Sequence, residues 1–185
     1  RTEVHDLSVN PLVRLHVVDV SEPSMHEPVS DLRRVLEELE LEWGLTDREC
    51  DPPVLMAPQA ALRDGRWQVT VAVFREREIV AIWPGYHETA LGMAFDIGST
   101  TIAAHLVDLA SGEALASAGR MNPQIRFGED LMSRVSYVMM HPGAEQQMCE
   151  VVRTAVAELI LEVCAEAEQT PDNILDCTFV GNPIM

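Results

Sequence analysis

LGMAFDIGSTTIAAHLVDL, residues 91–109, holds two apolar runs separated by a short polar turn. Leu91 to Phe95 reads as a buried strand and Ile102 to Leu109 as a second, with Asp96-Ile97-Gly98-Ser99-Thr100-Thr101 between them. The arrangement predicts a hairpin whose tip binds phosphate without a lysine. Gly98 permits a tight turn in which backbone N–H groups face an anion at close range. The hydroxyls of Ser99, Thr100 and Thr101 add donors that can shift between β- and γ-phosphate oxygens. Asp96, at the end of the first strand, is placed to hold Mg²⁺ through water, because Mg²⁺ keeps several of its waters. The competing reading is an ordinary turn, since Asp, Gly and Ser are all turn formers. The order of strands and helices downstream weighs against that plain turn.

After the hairpin, Ser111-Gly112 is a turn and Glu113 to Ala118 a third strand. Glu129 to Met140 reads as a helix broken by Pro142-Gly143. Ala144 to Ala167 is the longest helix, with Met148, Val151, Val152, Ala155, Leu159, Ile160 and Val163 on its buried side. Asp176 to Gly181 is one more strand. A sheet that ends on a freshly formed strand, with no helix to cover it, predicts that the chain is a piece of a longer protein. Asn122-Pro123-Gln124 comes after the third strand, where loop residues either face a ligand or make a plain turn. Gly181 and Asn182 leave the last strand at the edge where nucleotide clefts open in such sheets. Arg126 and Arg134 either reach a phosphate or pair with Glu129 and Asp130 on a helix face. His105 is expected to pack within its apolar strand, His141 to lie in a loop, and the methionines, Met139-Met140 included, to fill the core.

Upstream the chain changes character. Residues 1–27 read as a connector, in which Val13, Leu15, Val17 and Val18 allow a short strand before Ser21-Glu22-Pro23-Ser24 and Glu27-Pro28. Residues 28–90 make a small α/β module. Ser30 is the N-cap of a helix whose Leu32, Val35, Leu36, Leu39 and Trp43 keep helical spacing, and Gly44 is its stop. Thr46 and Glu49 suggest a capping box for a weak second helix, and Val54 to Leu62 a short third. Asp64-Gly65 turns the chain into an alternating strand at Trp67 to Val73. Ile79 to Trp83 is its hairpin partner, and Pro84-Gly85 closes the unit. No catalytic spacing occurs here, and a spacer or docking role is the plain reading.

Composition excludes several chemistries. All 13 basic residues are Arg, against 30 acidic residues, for a net charge of −17. No P-loop lysine, Schiff-base lysine or Ser–Lys nucleophile is available. Nucleic acid and anionic membrane need clustered cations and are disfavoured as partners; a basic protein surface or a substrate carrying Mg²⁺ is not. Arg1 to Asn10 is polar, and no run of about 18 uncharged apolar residues exists, so neither a secretory signal nor a membrane span is expected. The four cysteines, Cys50, Cys149, Cys164 and Cys177, have no metal-ligand spacing. Cys149 and Cys164 share one helix and are separated by about 22 Å at 1.5 Å per residue. Buried, reduced thiols are the expectation for all four, and with them a cytoplasmic location.

FDIGSTTIAAHLVDLASGEAL, from Phe95, resembles the first phosphate motif of the acetate and sugar kinase/Hsp70/actin superfamily. The longer run from Gly92 to Met139, with VGNPIM at 180–185, is similar to a narrower family, the reductive activators of corrinoid proteins. Asn122-Pro123-Gln124, Gly128-Glu129-Asp130 and Ser133-Arg134 are the elements specific to that family. SEPSMHEPVSDLRRVLEEL at 21–39 and the strand pair before Pro84-Gly85 carry the resemblance more weakly. The resemblance implies an α/β (α+β) chain. Its small middle domain at 28–90 is followed, at 91–185, by the incomplete first part of an RNase H-like, actin/Hsp70-type ATPase domain. It further implies ATP and Mg²⁺ as ligands, with Asp96 as the metal and catalytic residue. Gly98, Ser99, Thr100, Thr101, Asn122, Gln124, Arg134, Gly181 and Asn182 would then line the cofactor site. The implied activity is the ATP-coupled reduction of Co(II) to Co(I) in a corrinoid protein or corrinoid-dependent methyltransferase, with homodimerisation open. Arg126 and Arg134 then gain a corrinoid propionate as a second possible anion. The resemblance implies that the electron comes from a [2Fe–2S] ferredoxin domain; the four cysteines here do not form its cluster set. The family usually has Thr where this chain has Ser99, and the hydroxyl is retained. Two rivals remain: another kinase-like enzyme of the superfamily, and a non-catalytic docking module. The activator of 2-hydroxyacyl-CoA dehydratases carries a lysine soon after the motif, where Ile102 and Ala103 stand here.

Overall fold

The computed structural model describes residues 10–26 and 28–184. The polar stretch at 1–9 and the break at Glu27 lie outside them. The chain divides into two compact units, Arg1–Ala90 with Leu109–Ser111, and Leu91–Asp108 with Gly112–Met185.

The first unit is a four-stranded sheet, with β1 (Val13–Asp19), β3 (Gln68–Phe74), β4 (Glu78–Pro84) and β2 (Glu49–Cys50) side by side in that order. β1 runs antiparallel to β3, pairing Val18 with Val69, so the short strand of the connector is an integral sheet strand. The hairpin between β3 and β4 turns on Arg75 and Glu76, both with positive φ, which matches the right-handed strand twist without a glycine. Helix α1 (Asp31–Trp43) starts where the Ser30 hydroxyl accepts from Arg33 N–H and ends at Gly44, φ 68°. It places Val35 and Leu39 in the core with Leu62 of α2 (Pro58–Asp64) and Val69, Val71 and Val73 of β3. Two helical expectations are corrected. Thr46–Glu49 forms no helix: Asp47 has φ 52°, and Glu49–Cys50 pairs parallel with β4 just before Pro52-Pro53. Val54–Leu62 is not one helix either. Pro58 has no N–H to continue the preceding 3₁₀ turn at Pro52–Met56, and it opens α2 instead.

The second unit is a mixed sheet in the order β7 (Ala114–Met121), β6 (Thr101–Asp108), β5 (Leu91–Ile97), β8 (Ile174–Gly181). Three antiparallel strands are followed by α3 (Leu131–Met140) and α4 (Ala144–Glu166), after which β8 returns parallel to β5. This is the strand–strand–strand–helix–strand α/β arrangement expected from the sequence. One face of the sheet buries Leu91, Met93, Phe95, Ile102 and Leu106 against Ala155, Leu159 and Val163 of α4. Arg120 on β7 fastens the helix by reaching Glu158 and Glu162, one turn apart.

Burial overturns three expectations. His105 is exposed and faces Ser117 Oγ at 2.7 Å, because it points away from the face that α4 covers. Met93 and Met148 are buried as expected of the methionines, but Met139 and Met140, at 81% and 69% exposure, lie outside the core, as do Met121 and Met132. Of the cysteines only Cys164 is buried. Cys149, on the outer side of α4, and Cys177, on β8, are exposed, and all four are free thiols. No described helix is long and apolar enough to cross a membrane.

Candidate functional site

β5 alternates. Phe95 is buried on the α4 face, so Asp96 projects from the opposite face and is exposed. Ile97 pairs with Ile102, and Gly98 N–H donates to Thr101 C=O at 3.0 Å, closing the hairpin. A Cβ on Gly98 would stand 2.6 Å from that same carbonyl oxygen, so this turn admits only glycine.

The tip is held from beneath by its carbonyls. Gly98 C=O accepts from Asn122 Nδ2 at 2.8 Å, Ser99 C=O from an Arg134 guanidinium nitrogen at 2.6 Å, and Thr100 C=O from the Asn122 backbone N–H at 2.8 Å. Three consecutive carbonyls are thus committed to the protein. The amides of Ser99 and Thr100, the hydroxyls of Ser99, Thr100 and Thr101, and the Asp96 carboxylate have no hydrogen-bond partner among the described residues. Ser99, Thr100 and Thr101 are exposed. The tip therefore presents donors outward, which is what an anion requires, and a free carboxylate lies beside them.

Asn122, Gln124 and Arg134 are 0%, 2% and 3% exposed and form one buried network. Asn122 Oδ1 accepts from Gln124 N–H at 2.9 Å, capping the short 3₁₀ turn at Pro123–Phe127. Gln124 Nε2 donates to Met148 C=O at 3.3 Å, and its Oε1 accepts from Arg134 at 3.3 Å. Arg134 Nε donates to Gly128 C=O at 2.9 Å. Arg134 is thus buried beneath the hairpin with oxygen acceptors from Ser99, Gln124 and Gly128, and its hydrogen bonds go to none of the partners expected from the sequence. Arg126 is exposed and lies over the Phe127 ring, 4.7 Å from its centroid.

α3 is set by a reciprocal cap. Asp130 accepts from Ser133 N–H at 2.7 Å, and Ser133 Oγ accepts from Asp130 N–H at 3.1 Å. Those hydrogen bonds from Ser133, backbone first, hold the Asp130 carboxyl below the usual carboxylate range. A Cβ on Gly128 would meet Ser133 Oγ at 2.4 Å, so the loop runs tight against this cap and delivers Arg134 under the hairpin. Gly181 pairs with Ile97 and lies at the root of the hairpin, where a Cβ would come 3.0 Å from Ile97 C=O. Asn182 is next in the chain, exposed, with Oδ1 accepting from Ile184 N–H. The carbonyls of Met148 and Gly128 complete the support; only the Asp130-x-x-Ser133 spacing of the cap has a local sequence signal.

Asp96 with three neighbouring hydroxyls fits a hydrated Mg²⁺ carried by a triphosphate. An iron–sulfur cluster does not fit, because no group of three His, Cys, Asp or Glu side chains among the described residues could hold a metal.

The same residues carry the relationships to known proteins. A family model described as the RACo linker region matches residues 2–89, and one described as the RACo middle region matches 91–185. The corrinoid activation enzyme RamQ of Eubacterium limosum is 35% identical over 94 residues, 51% of this chain and 16% of that protein. A solved structure of a reductive activator for corrinoid, iron–sulfur protein superimposes with a TM-score of 0.80 at 27% identity. It covers 98% of this chain, which spans 30% of that one. With linker and middle regions matched in succession, the chain belongs to the RACo family of corrinoid activators.

Proposed function

We propose that residues 91–185 supply the first phosphate-binding half of the ATPase domain of a reductive corrinoid activator. The single observation that carries this reading is the set of three hairpin carbonyls, Gly98 to Thr100, bonded inward so that donors and hydroxyls face out. In this reading the Ser99 and Thr100 amides and the three hydroxyls hold the β- and γ-phosphates. Asp96 orients the hydrated Mg²⁺, which supplies the positive charge that a lysine supplies elsewhere. Asn122, Gln124 and Arg134 are positioning residues: they keep the tip in its anion-ready shape, so that little reorganisation is needed on binding. Gly181 keeps the exit of β8 close to the hairpin root, and Asn182 lies next to it.

The names of the relatives support the wider activity. Nucleotide binding and hydrolysis would shift the full-length protein between states that differ in affinity for a corrinoid protein or corrinoid-dependent methyltransferase. That shift would couple to reduction of Co(II) to Co(I), with the electron supplied by a [2Fe–2S] domain outside these residues. The test is Asp96→Ala in the full-length protein under anaerobic conditions, with phosphate release and the Co(I) absorbance of the corrinoid partner as readouts. Loss of both supports the reading, and unchanged MgATP turnover removes Asp96 from the site. Partner binding that ignores nucleotide would favour a docking role instead.

A further inference from the structure

A cavity of about 670 Å³ lies within the first unit, lined by β1, the Trp43–Arg48 segment after α1, and Tyr86 to Ala90. Much of its wall is apolar, with Val13, Leu45 and Ala90 all buried. The polar part of the lining is unusual. His16 is 7% exposed, and neither ring nitrogen has a hydrogen-bond partner among the described residues. Arg48 Nε and His87 Nε2 are likewise buried without partners among the described residues, and both residues line the same cavity.

Three segments far apart in sequence thus bring unsatisfied polar atoms to one space. Leaving such atoms without partners costs stability, about 1–3 kcal/mol each, so three of them gathered at one cavity call for a partner there, either ordered water or a ligand. The edge contact of His16 with the Trp43 ring, 4.7 Å between centroids, can occupy at most one of its two nitrogens. Arg14, the other guanidinium in the lining, is already paired with Glu76 at 2.8 Å. Arg48 has no ion-pair partner among the described residues.

The chemistry of the missing partner can be read from these groups. Burial, and then the nearby Arg14 and Arg48 cations, lower the proton affinity of His16, so its ring is neutral at pH 7 and offers one donor and one acceptor. Arg48 offers only donors and a fixed positive charge. The lining also carries the Glu76 and Glu88 carboxylates, with Glu76 taken by Arg14, but no group of three His, Cys, Asp or Glu side chains among the described residues could hold a metal ion. A ligand that accepts from both His16 and Arg48, and also covers Val13, Leu45 and Trp43, is an anion with an apolar body. The cavity size is that of a small-molecule site.

We propose that this cavity binds a small organic carboxylate with an apolar body, its carboxylate held by Arg48 and His16. The site belongs to the linker-region unit and does not rest on the nucleotide reading. All three tryptophans of these 185 residues, Trp43, Trp67 and Trp83, lie in this unit, so tryptophan fluorescence of the 185-residue chain reports on it. Benzoate is the probe, with benzamide as the uncharged molecule of similar shape. Saturable benzoate binding is expected, weakened about tenfold or more in Arg48→Gln and for benzamide, as for the loss of a charged hydrogen bond. Arg48→Lys, which keeps the charge and is gentler on folding, should lose less than Arg48→Gln. With ¹⁵N-labelled histidine, benzoate should move the His16 ring resonances. Absence of saturation by about 10 mM, equal affinity for Arg48→Gln, or unmoved His16 resonances would each overturn the proposal.

Discussion

The Arg134 guanidinium donates to the Ser99 carbonyl at 2.6 Å from a side chain that is 3% exposed and 35 residues away in sequence. This bond and its companions to Gly128 and Gln124 make Arg134 the post on which the hairpin between β5 and β6 stands. Arg134→Ala leaves buried carbonyl groups without donors and is expected to cost about 3 kcal/mol. Arg134→Lys keeps the charge but offers one nitrogen to acceptors spread around a planar fork, so it should recover less than half of that loss. Urea denaturation monitored by circular dichroism measures both. A loss within about 0.5 kcal/mol for the Ala variant would show that the network is dispensable.

Asn122 separates donor from acceptor roles. Its Nδ2 holds Gly98 C=O and its Oδ1 receives Gln124 N–H, and it is fully buried. Asn122→Ala removes both and should cost about 2 kcal/mol. Asn122→Asp keeps the acceptor but turns a buried charge toward the Gly98 carbonyl, so it should be the worse of the two despite its similar shape. Denaturation midpoints in the order wild type, Ala, Asp are expected; an Asp variant as stable as wild type would contradict the assigned orientation of the amide.

Gly98→Ala tests the turn itself. The added methyl would stand 2.6 Å from Thr101 C=O, which is backbone and cannot rotate away. The hairpin must open, breaking the Gly98 to Thr101 bond and disturbing the two carbonyl anchors at Ser99 and Thr100. Amide hydrogen exchange at Ile102 and Ala103 should rise about tenfold or more, the effect of roughly 1.4 kcal/mol of local destabilisation. In the full-length protein MgATP affinity should fall by at least the same factor, measured by calorimetry. Ser99→Thr, which introduces the residue usual in related chains and keeps the hydroxyl, should bind nucleotide as well as wild type.

The hairpin is legible in the sequence because its signals are local: an apolar run, Asp-x-Gly, three hydroxyls, and a second apolar run. The anchors are not. Asn122 and Arg134 reach the tip across 24 and 35 residues, and no pattern within one segment says where a guanidinium will point. Sequence alone therefore offers Arg134 a phosphate or a helix-face ion pair, whereas it serves the carbonyl side of the loop. His105 and Met139-Met140 depart from expectation for a related reason. Periodicity identifies two faces of a strand or helix, but which face is covered depends on elements elsewhere in the chain. His16 carries no local signal because β1 sits in a stretch with the composition of a connector, and a strand's burial is decided by its partner, here β3.

His16 gives a pH dependence whose sign is fixed by its environment. Burial first, then Arg14 and Arg48, hold its proton affinity below the ordinary imidazole value of 6.5, with Glu76 opposing them. Above pH 6.5 the imidazole is neutral in both folded and unfolded chains, and its contribution to stability is fully present. Below 6.5 the unfolded chain takes up a proton that the folded unit resists, so stability falls as pH falls. The unfolding midpoint seen by tryptophan fluorescence, which reports on this unit alone, should decline on acidification from about pH 7.5 toward about pH 5.5. His16→Phe removes the titration and two unsatisfied nitrogens while keeping a ring against Trp43. It should flatten that slope and raise the midpoint at pH 7 by the equivalent of about 1 kcal/mol. A variant with the wild-type slope would mean that other histidines dominate, and a destabilised one would mean that the His16 nitrogens are satisfied by ordered water.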